Sequence, residues 1–110
     1  MFNASKVASG SVRGPDPEPA AFPITSAFCF SLSSLPEPGV LARMLEQFAK
    51  RGLMPTRWFS DIDFETGLLQ TDIQVAGLSA TLGEDIGRCL RAIVGVDQVL
   101  TGSKSTGARN

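Results

Sequence analysis

Few side chains in this 110-residue chain are of the kinds that enzymes use as nucleophiles, bases or metal ligands. The chain contains no histidine, which excludes Ser-His and Cys-His catalysis and leaves no plausible zinc or iron cluster. The two cysteines, Cys29 and Cys89, lie in apolar sequence, and we interpret them as buried free thiols, with a disulfide as the minority alternative. The sequence therefore predicts no catalytic residue, no metal site, no cofactor and no enzymatic activity.

Acidic side chains are concentrated in one part of the chain, around a turn with Glu65-Thr66-Gly67 at its centre. A carboxylate metal site requires oxygen atoms that converge, which alternation along strands does not guarantee, so a solvated turn is the default interpretation. The residues concerned are Asp61, Asp63, Glu65 and Asp72.

The backbone N–H groups of Gly39, Val40 and Leu41 form the strongest candidate binding site. The first amides of a helix have no acceptor within it and carry the positive end of its dipole, so they could hold a carboxylate. Gly39 has no side chain to block a ligand. In the alternative interpretation the bend alone requires this glycine, and the carboxylate of Glu37 satisfies the same amides from within the chain.

The helix that carries these amides is well marked. Because a proline disfavours the helical region for the residue before it, the helix cannot begin before Pro38. Gly52 is predicted to end it in the left-handed conformation. The apolar residues between them recur on one helical stripe, which predicts a packed face and a solvated face. They are Val40, Leu41, Met44, Leu45, Phe48 and Ala49.

Four stretches have the patterns of β-strands: residues 24–33, 54–63, 68–76 and 96–101. The first alternates large apolar residues with small ones, which predicts a sheet with one face under helices and the other available for contacts. In the second, Trp58, Phe59 and Ile62 are the expected anchors. For the two aromatic residues, packing in the core or a dimer interface is favoured over stacking on a ligand.

A second helix is predicted after Gly77 by apolar residues at helical spacing, with Thr81 and Glu84 as a capping box. Gly83 and Gly87 lie one turn apart within it. Two interpretations are open: close packing of the helix backbone, or a weak helix that tertiary contacts hold in place.

The order β-α-β-β-α-β predicts an α+β protein of the ferredoxin-like plan, with a four-stranded antiparallel sheet and two helices on one face. We expect a disordered tail over residues 1–23, one domain over 24–101 and a flexible tail over 102–110.

The composition (43% hydrophobic, 19% charged, net charge −1) is typical of one small soluble domain, here expected in the cytoplasm. Scattered charges and the lack of a long apolar segment exclude nucleic acid and membrane partners.

The stretch Leu35–Gly52, with Pro38-Gly39-Val40-Leu41-Ala42-Arg43 and Phe48-Ala49-Lys50-Arg51-Gly52, resembles the first loop and helix of ACT domains. It is most similar to the domain that opens the small regulatory subunit of acetolactate synthase, and residues 93–100 match the end of that domain. The likeness covers residues 24–101. It implies a homodimer that binds an amino acid between this loop and the partner's strand edge, and that regulates a catalytic subunit in branched-chain amino acid biosynthesis.

Two features depart from that family. Amino-acid-binding ACT domains commonly carry Asp or Asn three residues before the glycine, where this chain has Pro36. The regulatory subunit also continues into a second domain, whereas this chain ends nine residues after its last predicted strand, which favours a stand-alone or shortened form. Two functions are therefore weighed: an allosteric module with an effector, and an interaction domain that mediates assembly without one.

Overall fold

A computed structural model describes residues 25–106 of the chain. The predicted tail over 1–23 and the last four residues lie outside this range. Six elements follow one another in the predicted order. They are β1 (Thr25–Ser34), α1 (Pro38–Ala49), β2 (Arg57–Asp63), β3 (Leu68–Ala76), α2 (Ala80–Arg91) and β4 (Val96–Thr106). Both helices have 12 residues, and no helix within 25–106 is long and apolar enough to cross a membrane.

The four strands form one antiparallel sheet in the order β2-β3-β1-β4, which confirms the ferredoxin-like prediction. Phe30 in β1 lies opposite Ile73 in β3 and Thr101 in β4, so the two central strands carry the middle of the core. The β1–β4 register shifts at Ser33 and Ser34, where a bulge interrupts the ladder.

The hydrophobic core lies between the sheet and the two helices. Phe28, Phe30 and Leu32 of β1 face this layer and are buried, as their alternation predicts. Phe48 of α1 meets the ring of Phe30 edge-on, with centroids 5.4 Å apart, and Trp58 packs on Phe48 at 6.4 Å. Aromatic pairs in this geometry stabilise a core beyond the area that they bury.

The beginning and the end of α1 are where the sequence places them. Pro38 is the first helical residue and follows an extended Glu37. At the other end the N–H of Gly52 donates to Ala49 O and that of Leu53 to Phe48 O, at 3.0 and 2.9 Å. This is a Schellman motif, and Gly52 has the positive φ of 71° that the motif requires.

The predicted capping box of α2 is wrong. Ser79 is the N-cap, and its hydroxyl accepts from the N–H of Leu82 at 3.2 Å. With Thr81 as the N-cap, the helix would start at residue 82. It starts at Ala80 instead, so Thr81 lies inside its first turn. The carboxylate of Glu84 instead accepts a hydrogen bond from the hydroxyl of Thr101 on β4.

The two glycines of α2 allow close packing on the sheet, which decides between the two interpretations. A Cβ on Gly83 would stand 2.5 Å from the ring of Phe28, and one on Gly87 would stand 2.9 Å from a methyl of Thr101. Both distances are shorter than real Cβ contacts. Small residues at these positions therefore set how near the helix backbone comes to the strands.

Two strand boundaries differ from the sequence prediction. The strand predicted over 54–63 begins only at Arg57, because Pro55 lacks the N–H that a strand needs. The flexible tail predicted from Gly102 is also wrong over residues 102–106, which extend β4 to Thr106. These five residues lack an apolar pattern, but they pair with Thr25–Cys29 of β1, so the partner strand orders them.

Candidate functional site

The loop that leads into α1 positions the three predicted binding residues. The N–H groups of Val40 and Leu41 donate to the carbonyl of Glu37, at 3.0 and 3.3 Å. The carboxylate of Glu37 makes no capping hydrogen bond. Within residues 25–106 the Gly39 N–H has no protein acceptor, so of the three amides it is the one available to a ligand.

The side chain of Val40 belongs to the core. It is buried and lies against the turn before β4, where a Cβ on Gly95 would stand 2.8 Å from it. The N–H of Leu35 donates to the Gly95 carbonyl at 2.9 Å, which ties the same loop to the same turn. The packing of Val40 and the hydrogen bond of Leu35 therefore fix the position of the loop and the direction of its backbone N–H groups.

A small cavity of about 190 Å³ adjoins the loop. Ile62 of β2 and Leu69 of β3 close it on the side of the sheet, opposite each other in the β2–β3 register. The sequence alone does not indicate that these two residues lie at the loop, because only the strand register brings them there. The cavity is lined by Pro36, Glu37, Pro38, Leu41, Ile62 and Leu69.

A larger groove of about 430 Å³ runs beside α1 on its outer side. Half of the predicted apolar stripe of α1 packs in the core, whereas Leu45 and Ala49 are exposed and Leu41 is half-buried. The apolar stripe covers more of the helix surface than the core buries. Leu41 and Leu45, on the side of the stripe away from the core, line the groove. The groove is formed by Leu41, Ala42, Leu45, Met54, Pro55 and Trp58.

The two aromatic residues of β2 lie on opposite faces of the sheet. Trp58 packs under α1, and its indole N–H donates to the hydroxyl of Ser60 at 3.1 Å. Ser60 in turn shares a hydrogen bond of 3.0 Å with the buried Thr71. Phe59 lies exposed on the other face, so the core interpretation holds for Trp58 alone, and Phe59 and Ile62 do not anchor the strand.

Apart from the exposed Phe59 and Leu100, the face of the sheet away from the helices is lined by small and polar residues. On it Ser31 donates to Asp72 at 2.8 Å and Ser33 donates to Gln70 at 2.9 Å, so these side chains bridge β1 and β3. A shallow cavity of about 480 Å³ lies there, and Arg57 and Lys104 are among the residues that line it.

The acidic residues do not form a metal centre. Asp63 accepts from the backbone N–H of Glu65 at 3.0 Å, which is a turn contact. Within residues 25–106, no group of three or more His, Cys, Asp or Glu side chains could hold a metal ion.

Both cysteines are free thiols, as predicted, but neither is fully buried. Cys29 lines the shallow cavity on the open face of the sheet. Cys89 lies on α2, where a guanidinium nitrogen of Arg51 donates to its sulfur at 3.4 Å. The sheet separates the two thiols, because α2 covers its opposite face.

No family model matches the chain, and no curated protein matches it. Among solved structures, it is similar to the ACT domain of GTP pyrophosphokinase from Chlorobium tepidum. The crystal structure of that domain has a TM-score of 0.58 at 10% identity and covers 70% of this chain and 97% of that one. Its solution structure gives 0.56 at 11% identity, covering 68% and 83%.

The chain is also similar to the C-terminal domain of the MgtC protein from Mycobacterium tuberculosis. This match has a TM-score of 0.58 at 11% identity and covers 76% of this chain and 90% of that one. Identities this low establish the fold and leave function open. Residues 25–106 therefore have the ferredoxin-like βαββαβ fold found in ACT domains.

Proposed function

We propose that this chain is a small regulatory module of the ACT type, which dimerises and binds an amino acid to modulate a metabolic enzyme such as acetolactate synthase. The single observation that carries the proposal is the fold it shares with solved ACT domains across most of its described length. The loop that resembles ACT domains in sequence occupies the first β–α connection of that fold.

The proposed effector site comprises the backbone of Gly39, Val40 and Leu41 and the cavity beside it. The Gly39 N–H would donate to a ligand carboxylate, while Val40 and Leu41 would share their donors with the Glu37 carbonyl. The cavity is apolar apart from Glu37, so it suits an aliphatic side chain. An amino acid of the aliphatic class is therefore the effector we expect.

Regulation would act through a shift between two states of the partner enzyme. An effector changes such an equilibrium only by its differential affinity for the two states. The loop is bonded to the turn before β4, so a ligand at Gly39 would also bias the position of that turn.

Calorimetric titration and thermal unfolding with each of the twenty amino acids test the effector. A ligand at a hundred times its dissociation constant raises the unfolding free energy by about 2.7 kcal/mol, a shift that thermal unfolding resolves readily. We expect aliphatic amino acids to stabilise the protein and Ile62→Gln to abolish the effect. Leu100→Gln, a change of another exposed apolar residue on a different strand, is the matched control. No stabilisation by any amino acid at millimolar concentration would overturn the effector proposal.

A ligand-free assembly domain is the second candidate function. It is favoured by the hydrogen bonds of Val40 and Leu41 to Glu37, which satisfy two of the three amides without a ligand. The purified acetolactate synthase catalytic subunit separates the candidates. If the chain binds this subunit and changes its activity, and added amino acids have no further effect, the assembly domain is favoured.

A further inference from the structure

We propose that the shallow cavity on the open face of the sheet binds a small dicarboxylate, with Arg57 and Lys104 each holding one of its acidic groups. The cavity has a volume of about 480 Å³ and lies on the face of the sheet away from the helices. It shares no lining residue with the cavity beside Gly39, so this inference goes beyond the proposed function and does not rest on it.

The floor of the cavity lies where one row of residues crosses all four strands. Four residues are opposite one another in this row: Arg57, Gln74, Cys29 and Gly102. Cys29 has a short side chain and Gly102 has none, so the row is lowest over β1 and β4. A Cβ on Gly102 would contact no other part of the chain within 4 Å. There is therefore open space above this part of the sheet.

Two cationic side chains line the cavity from opposite edges of the sheet. Arg57 lies on the edge strand β2 and Lys104 on the edge strand β4, and within residues 25–106 neither is part of an ion pair. Three strand spacings separate the two strands, about 14 Å. A compact anion would require both long side chains to converge on one point, at a cost in side-chain entropy. A ligand with an acidic group at each end can instead contact each cation separately.

The two cations suit carboxylates. A guanidinium can form two parallel hydrogen bonds with one carboxylate, and an ammonium group attracts another as a point charge. Both are exposed at the margin of the protein, so they can keep part of their hydration when a ligand binds.

One carboxylate of the protein lies on the strands between these edges. Asp72 lines the cavity, and its Oδ1 accepts from the hydroxyl of Ser31 at 2.8 Å. Its negative charge disfavours polyanions such as nucleic acids, which carry a charge on every unit. Its other oxygen can accept a hydrogen bond from a hydroxyl group of the ligand. The lining therefore favours a short dicarboxylate with a hydroxyl between its ends.

Calorimetric titration with malate tests the two cations. Arg57→Gln and Lys104→Gln should each raise the malate dissociation constant about tenfold, because each removes a charged hydrogen bond to one carboxylate. Lys50→Gln is the matched control, since Lys50 is an exposed cation at the end of α1, on the other side of the sheet. Equal changes in all three variants, or no malate binding to the parent protein, would overturn the site.

Further probes define the class of ligand. Succinate lacks the hydroxyl of malate, and butyrate also lacks one carboxylate, so affinity should fall in the order malate, succinate, butyrate. Asp72→Ala should remove the preference for malate over succinate, because it removes the acceptor for the hydroxyl. Inorganic phosphate that binds more tightly than succinate would overturn the dicarboxylate in favour of a compact anion.

The cysteines provide a measurement inside the cavity. Cys29 lines the cavity, whereas Cys89 lies on α2 and is an internal reference. Saturating malate should slow the alkylation of Cys29 by iodoacetamide at least about fivefold, because the ligand covers its sulfur. The rate at Cys89 should stay the same. Absence of protection, or equal protection of both thiols, would overturn binding at this place.

A substitution at Gly102 tests the open space itself. Gly102→Val should abolish malate binding, because its methyl groups would occupy the floor of the cavity. It should not lower the unfolding midpoint, since β-branched residues suit a strand. Ser103→Val places the same side chain on the opposite face of β4 and is the control. Unchanged malate affinity in Gly102→Val would contradict the location of the site.

A competition experiment separates this site from the proposed effector site. Malate should bind with the same dissociation constant in millimolar leucine as without it, because the two cavities share no residue. Displacement of malate by leucine would overturn an independent site on the open face. A protein that binds malate but does not respond to any amino acid would support this site and overturn the effector proposal alone.

Discussion

The backbone of Gly83 lies directly against the ring of Phe28, so close that a Cβ at this position would stand 2.5 Å from the ring atom Cδ2. Phe28 is itself buried in the core and cannot swing away into solvent. This contact sets the distance between α2 and the sheet.

Gly83→Ala should therefore destabilise the protein even though alanine is the better helix former. The gain in helix propensity is about 1 kcal/mol, whereas forcing an extra methyl into a packed core costs about 1–3 kcal/mol or more. We expect a net loss of up to about 2 kcal/mol in urea unfolding. Gly39→Ala is the control, because its Cβ would meet only the Arg43 guanidinium at 3.6 Å. Equal stability of the two variants would contradict the close contact.

Ser79→Ala should lower the stability of the protein by about 1 kcal/mol, because it removes the acceptor of the Leu82 N–H at the start of α2. Thr81→Ala should cost less, since Thr81 is exposed inside the first turn and does not cap the helix. Chemical denaturation of both variants measures the difference. A larger loss for Thr81→Ala would restore the capping box that the sequence suggested.

Leu90→Ala and Leu100→Ala compare the same chemical change in two environments. Leu90 is 0% exposed in the core, and its truncation should cost about 2–5 kcal/mol. Leu100 is 58% exposed on the open face of β4, and its truncation should fall within about 0.5 kcal/mol of the parent protein. Circular dichroism during urea unfolding gives both values, and similar losses would contradict the assignment of the core face.

The two cysteines should remain reduced and independent. A disulfide requires Cα atoms within about 7 Å, and the sheet separates Cys29 on its open face from Cys89 on α2. In protein kept without a reductant, a thiol reagent should modify both cysteines. Addition of a reductant should leave the unfolding midpoint of the protein unchanged. An intramolecular cross-link in the mass spectrum would contradict this arrangement.

Much of the fold could be predicted because its signals are local. Alternation along β1, the prolines before α1 and the glycine after it act within a few residues, and each element that they predicted exists. The element order then selected the sheet topology. The candidate site was predicted only as a set of backbone amides. Two of these amides donate to the Glu37 carbonyl. Because every residue type carries a backbone carbonyl, the sequence does not indicate which one is the acceptor.

By itself, the sequence determined the six elements, their order and the apolar stripe of α1. Only the tertiary structure decided how far β4 extends, which part of that stripe is buried, and why α2 has two glycines. The reason is physical: a strand end is fixed by the strand it pairs with, and the burial of a side chain by the element that covers it. Both depend on residues that are distant in the chain.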